Sequence, residues 1–160
     1  MWFNICNYVA NHFKLSMREY SRFIRICKMF FSGKQDSQYR LDSQELAIFE
    51  SKTTFLPILI ALKIIDLDKY YLFSKGNGNN ILIEIFKQNS SKWFENLLNQ
   101  NECYIKTSNC TFVKLSDRLN EFYNAVFNFK RAISIGCLEF NRDIKNEMIR
   151  QANMITNLSS

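Results

Sequence analysis

The stretch Pro57–Ile65 reads Pro-Ile-Leu-Ile-Ala-Leu-Lys-Ile-Ile, and its interpretation decides the fold. It contains the only proline of the chain, shows no alternation of apolar and polar residues, and ends at Asp66. A short, continuous apolar run of this kind is typical of a central strand buried on both faces, but a buried helix gives the same pattern. We take the strand as the first interpretation and keep the buried helix as its rival.

Further strands are predicted after this stretch. Two runs rich in β-forming residues, 70–74 and 81–86, flank the Gly/Asn-rich segment 75–80, which predicts a β-hairpin. Gly76 and Gly78 lack the third glycine and the following helix of a dinucleotide-binding fingerprint, so we expect a plain turn there. Residues 103–107 and 111–115 predict two more strands, joined at Ser108-Asn109.

Helices are predicted at both ends of the chain and between the strands. They cover residues 2–31 (as one helix or two), 43–51, a segment capped by Ser90 or Ser91, a segment capped by Ser116, and 141–154. In the helix after Ser116 we expect an apolar stripe of Leu119, Phe122, Tyr123, Val126 and Phe127 or Phe129.

The predicted fold class is α+β. It consists of a small mixed sheet packed by two or three helices, with a long basic N-terminal helical extension and a C-terminal helix. The predicted organisation has a basic amphipathic extension (1–34), a linker with a short helix (35–54), an α+β core (55–140), and a C-terminal helix and tail (141–160).

Most of the excess positive charge lies in the first 34 residues. The chain has a net charge of +6, and in this segment six cations stand against Glu19 alone, which leaves +5. Five of the cations recur at steps of four, four, three and three, which places them on one arc of a helix. They are Lys14, Arg18, Arg22, Arg25 and Lys28, and on the opposite side fall Phe13, Tyr20, Ile24, Cys27 and Phe31.

A ridge of cations on one helix face can follow a run of phosphates. We therefore predict a nucleic-acid-binding surface made of Lys14, Arg18, Arg22, Arg25, Lys28 and Lys34, extended by a second cluster of Lys106, Lys114 and Arg118. Two alternatives stay open. In the first, the ridge is a solvated helix face that binds nothing. In the second, residues 1–31 form a membrane-surface helix whose Trp2, Phe3, Phe13 and Phe23 contact lipid.

The sequence offers little chemistry for catalysis. His12 is the only histidine and is expected to be packed or half-buried, which leaves no nucleophile–base arrangement. Asp66 and Asp68 are either turn formers or ligands of Mg²⁺. The five cysteines form no C-x-x-C pair, so we expect reduced thiols, with a Cys103–Cys110 disulfide as the alternative. We expect a non-enzyme with no metal, cofactor or small-molecule substrate.

Residues 55 to about 130 resemble the large-subunit ribosomal protein family number five, which joins the 5S RNA and the P-site tRNA. The residues that carry the resemblance are Pro57 with Lys63-Ile64, Ser91-Lys92-Trp93-Phe94-Glu95-Asn96-Leu97-Leu98, Tyr104-Ile105-Lys106-Thr107, Thr111-Phe112-Val113-Lys114-Leu115, and Arg118-Leu119-Asn120-Glu121-Phe122-Tyr123. The family's glycine-rich basic loop is shortened here to Ser108-Asn109. A largely helical segment, 137–160, stands in place of its closing strands.

This resemblance implies a structural RNA-binding component of the large ribosomal subunit, with ribosomal RNA and neighbouring ribosomal proteins as partners. The amphipathic, acid-poor N-terminus resembles a mitochondrial transit peptide, so the expected location is the mitochondrial matrix, with synthesis inside the organelle as one route and the cytoplasm as the alternative. The alternative functions are a non-catalytic protein–protein interaction module (a viral or bacterial adaptor, effector or immunity protein) and a membrane-surface subunit of an organelle complex.

Overall fold

A long buried helix, not a sheet, forms the centre of the fold. A computed structural model describes residues 2–31, 42–85, 112–135 and 138–154. This part of the chain is mostly helical, with one two-stranded antiparallel sheet, and is compatible with the α+β class. Its elements in chain order are α1 (Trp2–Phe13), α2 (Met17–Phe31), α3 (Ser43–Ile65), α4 (Leu67–Ser74), α5 (79–85), α6 (Phe112–Phe127), β1 (Ile133–Ile135), β2 (Leu138–Phe140) and α7 (Asp143–Asn153).

The strand predicted over residues 58–65 is wrong, and the rival interpretation, a buried helix, is correct. These residues form the last turns of α3, in which every residue from 53 to 62 is buried. Helices α1, α2, α4 and α7 and strand β2 all pack against α3. A helix enclosed on every side has no apolar stripe, so its sequence shows no helical period.

Helix α3 begins with a capping box. The Asp42 carboxylate accepts hydrogen bonds from the backbone N–H groups of Gln44 (3.0 Å) and Glu45 (2.8 Å). In return, the Glu45 carboxylate accepts one from the backbone N–H of Asp42 (3.1 Å). These bonds satisfy donors that a helix N-terminus leaves open. The helix start predicted at Ser43 is therefore correct, whereas the end predicted near Ser51 is wrong because the helix continues to Ile65.

Pro57 lies inside α3 rather than at an element boundary. A proline within a helix lacks the backbone N–H that would bond to the carbonyl four residues earlier, here that of Thr53. The two neighbours of Pro57, Leu56 and Ile58, are fully buried. Tertiary packing around α3 thus offsets the local weakness that proline introduces.

The hairpin predicted over residues 70–86 is also wrong, because α4 and α5 are helical and residues 75–78 form the turn between them. Asp66 ends one helix and starts the next. Its backbone N–H donates to the carbonyl of Leu62 (2.8 Å), and its carboxylate accepts from the backbone N–H of Lys69 (3.1 Å). Tyr70 and Phe73, three residues apart, are both buried. Their burial on one helix face outweighs the β-propensity of aromatic residues.

The N-terminal segment forms two helices that pack on the core. Lys14 has a positive φ of 50°, and the backbone N–H of Leu15 donates to the carbonyl of Ala10 (3.2 Å), so α1 ends there. The Tyr20 hydroxyl donates to Asn7 Oδ1 (2.9 Å) and joins α2 to α1. Eight residues of the two helices belong to the hydrophobic core, namely Ile5, Cys6, Val9, Ala10, Phe23, Ile26, Cys27 and Phe31.

The thiols of Cys6 and Cys27 are free and buried where α1 meets α2, as predicted for reduced cysteines. Burial raises the pKa of the Cys27 thiol, and the neighbouring Cys6 thiol raises it further. Both cysteines therefore pack as small side chains in the core. Cys103, Cys110 and Cys137, and with them the alternative Cys103–Cys110 disulfide, lie outside the described residues.

Helix α6 begins earlier than predicted. Residues 112–115 are helical rather than a strand, and Ser116 lies within α6 instead of capping it. The predicted apolar stripe is correct, because its members from α6 are buried, namely Leu119, Phe122, Tyr123, Val126 and Phe127. The predicted strand 103–107 and the helix after Ser90 or Ser91 lie outside the described residues.

Aromatic rings join α6 to α3 and α4. Phe55 on α3 lies with its ring centroid 4.8 Å from that of Phe122 and 5.4 Å from that of Phe127. Phe73 on α4 lies 5.0 Å from Tyr123, which stacks on Phe127 at 4.8 Å. Most of these pairs meet edge to face or tilted, as aromatic quadrupoles favour. This aromatic cluster fixes the position of α6.

Tyr123 also holds the turn between α4 and α5. Its buried hydroxyl donates to the carbonyl of Phe73 (2.7 Å) and accepts from the backbone N–H of Gly78 (2.8 Å). Asn128 donates from Nδ2 to the carbonyl of Gly76 (2.9 Å), a residue with a φ of +91°. The Gly-rich segment is therefore a packed turn, and the sequence interpretation of a plain turn is correct.

The last elements that the structure describes are a two-stranded sheet and a helix. Strand β1 pairs with β2, with Ile133 opposite Phe140 and Ile135 opposite Leu138. Leu138 and Phe140 are buried, and β2 packs against α3. The final amphipathic helix predicted over residues 141–154 is confirmed as α7. Its buried residues follow at intervals of four, namely Ile144, Met148 and Ala152.

We predict that Tyr123→Phe lowers the free energy of unfolding by about 1–3 kcal/mol, because the backbone N–H of Gly78 and the carbonyl of Phe73 both lose a buried partner. Denaturant unfolding of the variant and the wild type measures this difference. Tyr71→Phe, at a position that is 50% exposed, serves as the comparison. Equal stability of wild type and Tyr123→Phe would contradict the role assigned to this hydroxyl.

The same variant tests the pH dependence. Burial raises the pKa of Tyr123 from 10.0 to about 12, opposed by the hydrogen bond from Gly78. The neutral hydroxyl thus contributes stability that is complete below pH 10 and is lost as the pH rises towards 12. We expect wild type to lose stability more steeply than Tyr123→Phe across this interval in unfolding experiments. Parallel curves would show that the hydroxyl ionises as it does in the unfolded chain.

We predict that Gly78→Ala destabilises the protein by about 1–3 kcal/mol, as overpacking generally does. A Cβ at this position would lie 2.7 Å from the Cα of Phe73, and a backbone atom in α4 cannot move aside easily. Asn77→Ala, at the exposed neighbouring position, is the matched control and should change the melting temperature little. A Gly78→Ala variant that melts with the control would contradict the close approach of the turn to α4.

Candidate polyanion-binding surface on helix α2

Helix α2 turns its apolar side inward and its basic side outward. Phe23, Ile26, Cys27 and Phe31 are buried in the core. Arg18, Arg25 and Lys28 are exposed and Arg22 is half-buried. Four of the five cations predicted on one arc therefore belong to α2. Lys14 is the exception, because it lies in the turn before α2 and not on the helix.

Three arginines of α2 line one surface groove. Arg18, Arg22 and Arg25 lie along it, and the groove has a volume of about 730 Å³. Its other lining residues are Ser16, Glu19, Ser21 and Ile64, the last from the end of α3. Three guanidinium groups spaced along one helix form a row of forked donors, a geometry suited to phosphate oxygens.

Glu19, the one acidic residue among the described residues that line this groove, caps α2. The Glu19 carboxylate accepts from the backbone N–H of Ser16 (2.8 Å), and the backbone N–H of Glu19 donates to Ser16 Oγ (3.3 Å). These two hydrogen bonds lower the pKa of Glu19. The carboxylate is therefore ionised at neutral pH and lies at the N-terminus of α2, where the helix dipole favours a negative charge.

The arginines of α2 have no protein counterion in the part of the chain that the structure describes. Its recorded ion pairs lie elsewhere, at Lys52–Glu147 (3.9 Å), Lys69–Asp66 (3.9 Å) and Arg150–Glu147 (2.8 Å). Even Glu19 forms no ion pair with Arg22, three residues later on the helix. Within the described ranges, the positive charge of α2 is therefore not neutralised by an ion pair.

The remaining predicted cations are not brought into this groove. Lys114 and Arg118 belong to the first turns of α6, so Lys114 does not lie on the predicted strand; their side chains lie outside the described residues. Lys34 and Lys106 also lie outside them. The predicted second cluster of Lys106, Lys114 and Arg118 stays a prediction.

The residues considered as catalytic or metal-binding candidates take part in packing and helix capping. His12 is half-buried on α1, and its ring meets that of Phe13 edge to face at 4.8 Å, as expected of a packed histidine. Asp66 caps α4, and the exposed Asp68 lies in the first turn of that helix. Among the residues that the structure describes, no group of three His, Cys, Asp or Glu side chains is placed to hold a metal ion.

The membrane-surface alternative loses one of its anchors. Phe23 was expected to contact lipid in that alternative, but it is fully buried between α2 and the core. Phe13 is half-buried, and the side chains of Trp2 and Phe3 lie outside the described part. None of the described helices combines the length and the hydropathy that crossing a membrane requires.

Sequence reasoning missed a second group of cations, around the end of α6. Lys75, Lys130, Arg142 and Lys145 line one groove there. Lys130 and the i,i+3 pair Arg142 and Lys145 are visible as basic residues in the sequence, but Lys75 is more than fifty residues away along the chain. No spacing rule predicts that these residues meet, because only the packing of α4 against α6 brings them together.

No protein-family model, curated protein or solved structure matches this chain. The resemblance to the ribosomal family therefore stands on the residues quoted for it. That family has a strand with a Lys-Ile pair, whereas Lys63 and Ile64 of this chain lie in the helix α3. The family's next matching strand corresponds in this chain to residues at the start of the helix α6.

We predict that Glu19→Gln raises the affinity of the protein for a polyanion probe, inorganic polyphosphate, severalfold. Glutamine keeps an oxygen that can accept from Ser16, so the capping box persists, while the negative charge of Glu19 is removed from the groove. Filter binding at low salt measures the change. Glu84→Gln, an exposed residue on α5, is the charge-matched control. Equal affinities of Glu19→Gln and this control would show that the groove does not face the phosphates.

Proposed function

We propose that this protein is a non-catalytic RNA-binding protein that lays the basic face of α2 along a run of phosphates. The observation that carries the proposal is the groove lined by Arg18, Arg22 and Arg25. Among the described residues, none of these arginines forms an ion pair, and the one carboxylate that lines the groove, that of Glu19, caps α2. Fixed cations without internal partners raise the free energy of the folded chain by repulsion, which an external polyanion relieves.

The dimensions of the basic face fit a nucleic-acid strand. Arg18 and Arg25 are seven positions apart, so they are separated by roughly 10 Å along the helix axis. In double-stranded DNA, consecutive phosphates of one strand rise by roughly 3.4 Å along the duplex axis, so the basic face spans several phosphates of one strand. Contacts of this kind position a protein on its ligand without reading base sequence.

The choice of RNA, and of a ribosome in particular, comes from the resemblance stated for residues 55–130. We therefore extend the proposal to a structural component of the large ribosomal subunit, in a mitochondrial matrix, with ribosomal RNA and neighbouring ribosomal proteins as partners. Its support is the basic face of α2 together with the quoted sequence pieces. The helical state of α3 and of the start of α6 speaks against that particular family and not against RNA binding.

A second candidate, a protein–protein interaction module, is favoured by the outer face of α4. Leu67, Tyr71 and Leu72 on this helix are each 50% exposed. Contiguous exposed apolar side chains of this kind often mark the binding site of a partner protein. The two candidates differ in their response to loss of charge on α2, because only the RNA-binding candidate requires its arginines.

We predict that Arg18→Gln combined with Arg22→Gln lowers the affinity for RNA at least tenfold, because two phosphate contacts are lost. Sedimentation with ribosomal subunits and filter binding to purified RNA measure the effect. The fold should persist, since Arg18 is exposed, Arg22 is half-buried and neither has an ion pair in the described structure.

The matched control is Lys69→Gln combined with Arg150→Gln, which removes the same formal charge from exposed residues outside the groove. We expect this control to bind RNA almost as wild type does. If both double variants lose affinity equally, net charge and not the face of α2 governs binding. If neither loses affinity, the interaction-module candidate replaces the proposed function.

A further inference from the structure

The groove at the end of α6 lies apart from the surface of α2 and shares no lining residue with it. Its volume is about 600 Å³, within the range of roughly 300–1,000 Å³ that is common for sites of small organic ligands. Its lining comes from the turn after α4, the end of α6 and the beginning of α7, and consists of Lys75, Phe127, Asn128, Phe129, Lys130, Arg142, Lys145 and Asn146.

The described lining of this groove is positively charged, because four cations and no carboxylate belong to it within the described part of the chain. Lys75, Lys130 and Arg142 are exposed, and none of them forms an ion pair within the described ranges. Glu121 lines an adjoining depression together with Lys130 and Arg131. Folding alone gives no reason to gather these charges, because like charges repel each other.

One of the cations is fixed by the fold. Lys145 is half-buried, and its Nζ donates to the carbonyl of Phe127 (3.1 Å), near the C-terminal end of α6. Such a bond satisfies a carbonyl that the helix end leaves open. Lys75 is supported in a different way, with its ammonium 5.9 Å from the ring centroid of Tyr71. Two of the four cations thus have contacts within the protein that hold them beside the groove.

The groove also offers an aromatic side chain and two amides. Phe129 follows α6 and is half-buried, so part of its side chain remains exposed between the cations. Asn128 uses both hydrogens of its Nδ2 group, on the carbonyl of Gly76 (2.9 Å) and on Asn124 Oδ1 (2.9 Å), which leaves its oxygen as an acceptor. Asn146 supplies a second, exposed amide.

We infer that this groove binds an unpaired nucleotide of a single-stranded RNA, with the base against Phe129 and the flanking phosphates on Lys75, Lys130 and Arg142. An aromatic side chain beside several phosphate-binding cations is the combination by which proteins hold single strands. The inference rests on the proposed RNA-binding function and refines it: α2 contacts phosphates only, whereas this groove requires a base that is not stacked in a duplex.

The test compares three probes by fluorescence anisotropy with the full chain. They are a single-stranded RNA of about 12 nucleotides, within the usual site sizes of single-strand binders, an RNA duplex of the same length, and inorganic polyphosphate. We expect Phe129→Leu to lower the affinity for the single strand roughly fivefold or more and to leave the other two probes unchanged, because only the unpaired base is stacked. Phe129→Tyr, which keeps the ring, should bind the single strand as wild type does.

A charge variant tests the phosphate contacts independently of Phe129. Lys130→Gln combined with Arg142→Gln should lower the affinity for the single strand roughly tenfold. Lys69→Gln combined with Arg150→Gln should have no comparable effect. If Phe129→Leu weakens all three probes equally or none of them, or if the two charge variants behave alike, the groove is not a nucleotide site.

The outcomes separate this inference from the proposed function. Loss of affinity in the α2 double variant with intact binding in every groove variant overturns the groove inference and leaves the role of α2 standing. If the groove variants lose affinity and the α2 double variant binds as wild type does, the role of α2 is overturned and the groove inference stands. Thermal unfolding of each variant beside wild type shows that any loss of affinity comes from the surface and not from unfolding.

Discussion

The fold depends on the enclosure of α3, a helix that is apolar on nearly all sides. Residues 53–62 are buried without exception, so neighbours must cover every face of this helix. Helices α1 and α2 cover one part, α4 and α7 and strand β2 cover others, and α6 joins through the aromatic ring of Phe55. Because burial of apolar surface is the main favourable term in folding, this central helix determines where the elements packed against it lie.

The positions of the two basic surfaces, on α2 and at the end of α6, result from this packing around α3. Because α2 must bury Phe23, Ile26 and Cys27 against the core, its arginines lie on the outside by necessity. The turn after α4 is drawn onto α6 by the Tyr123 hydroxyl and by Asn128, and this contact carries Lys75 into the groove beside Lys130. The same packing that hides the apolar residues thus sorts the cations into two surfaces.

The sequence predicts those features whose cause lies within one element. The stripes of α6 and α7 have a helical period because each helix buries one face, and the cations of α2 follow the same rule. The sequence of α3 predicts a strand because a fully buried helix shows no helical period in its apolar residues and because Pro57 resembles the boundary of an element. The sequence of the short, aromatic-rich α4 also predicts a strand, since tertiary contacts decide the burial of Tyr70 and Phe73. The groove around Lys75 and Arg142 joins distant parts of the chain, which no spacing rule captures.

The most direct test of the account is the salt dependence of RNA binding by the unmodified protein. Each cation of α2 that contacts a phosphate releases counterions when it binds. For about four contacts with duplex RNA, the logarithm of the association constant should fall by roughly 3 to 4 per tenfold rise in salt. An association constant that does not change with salt, or no measurable binding at low salt, would contradict the claim that the basic face of α2 lies against phosphates.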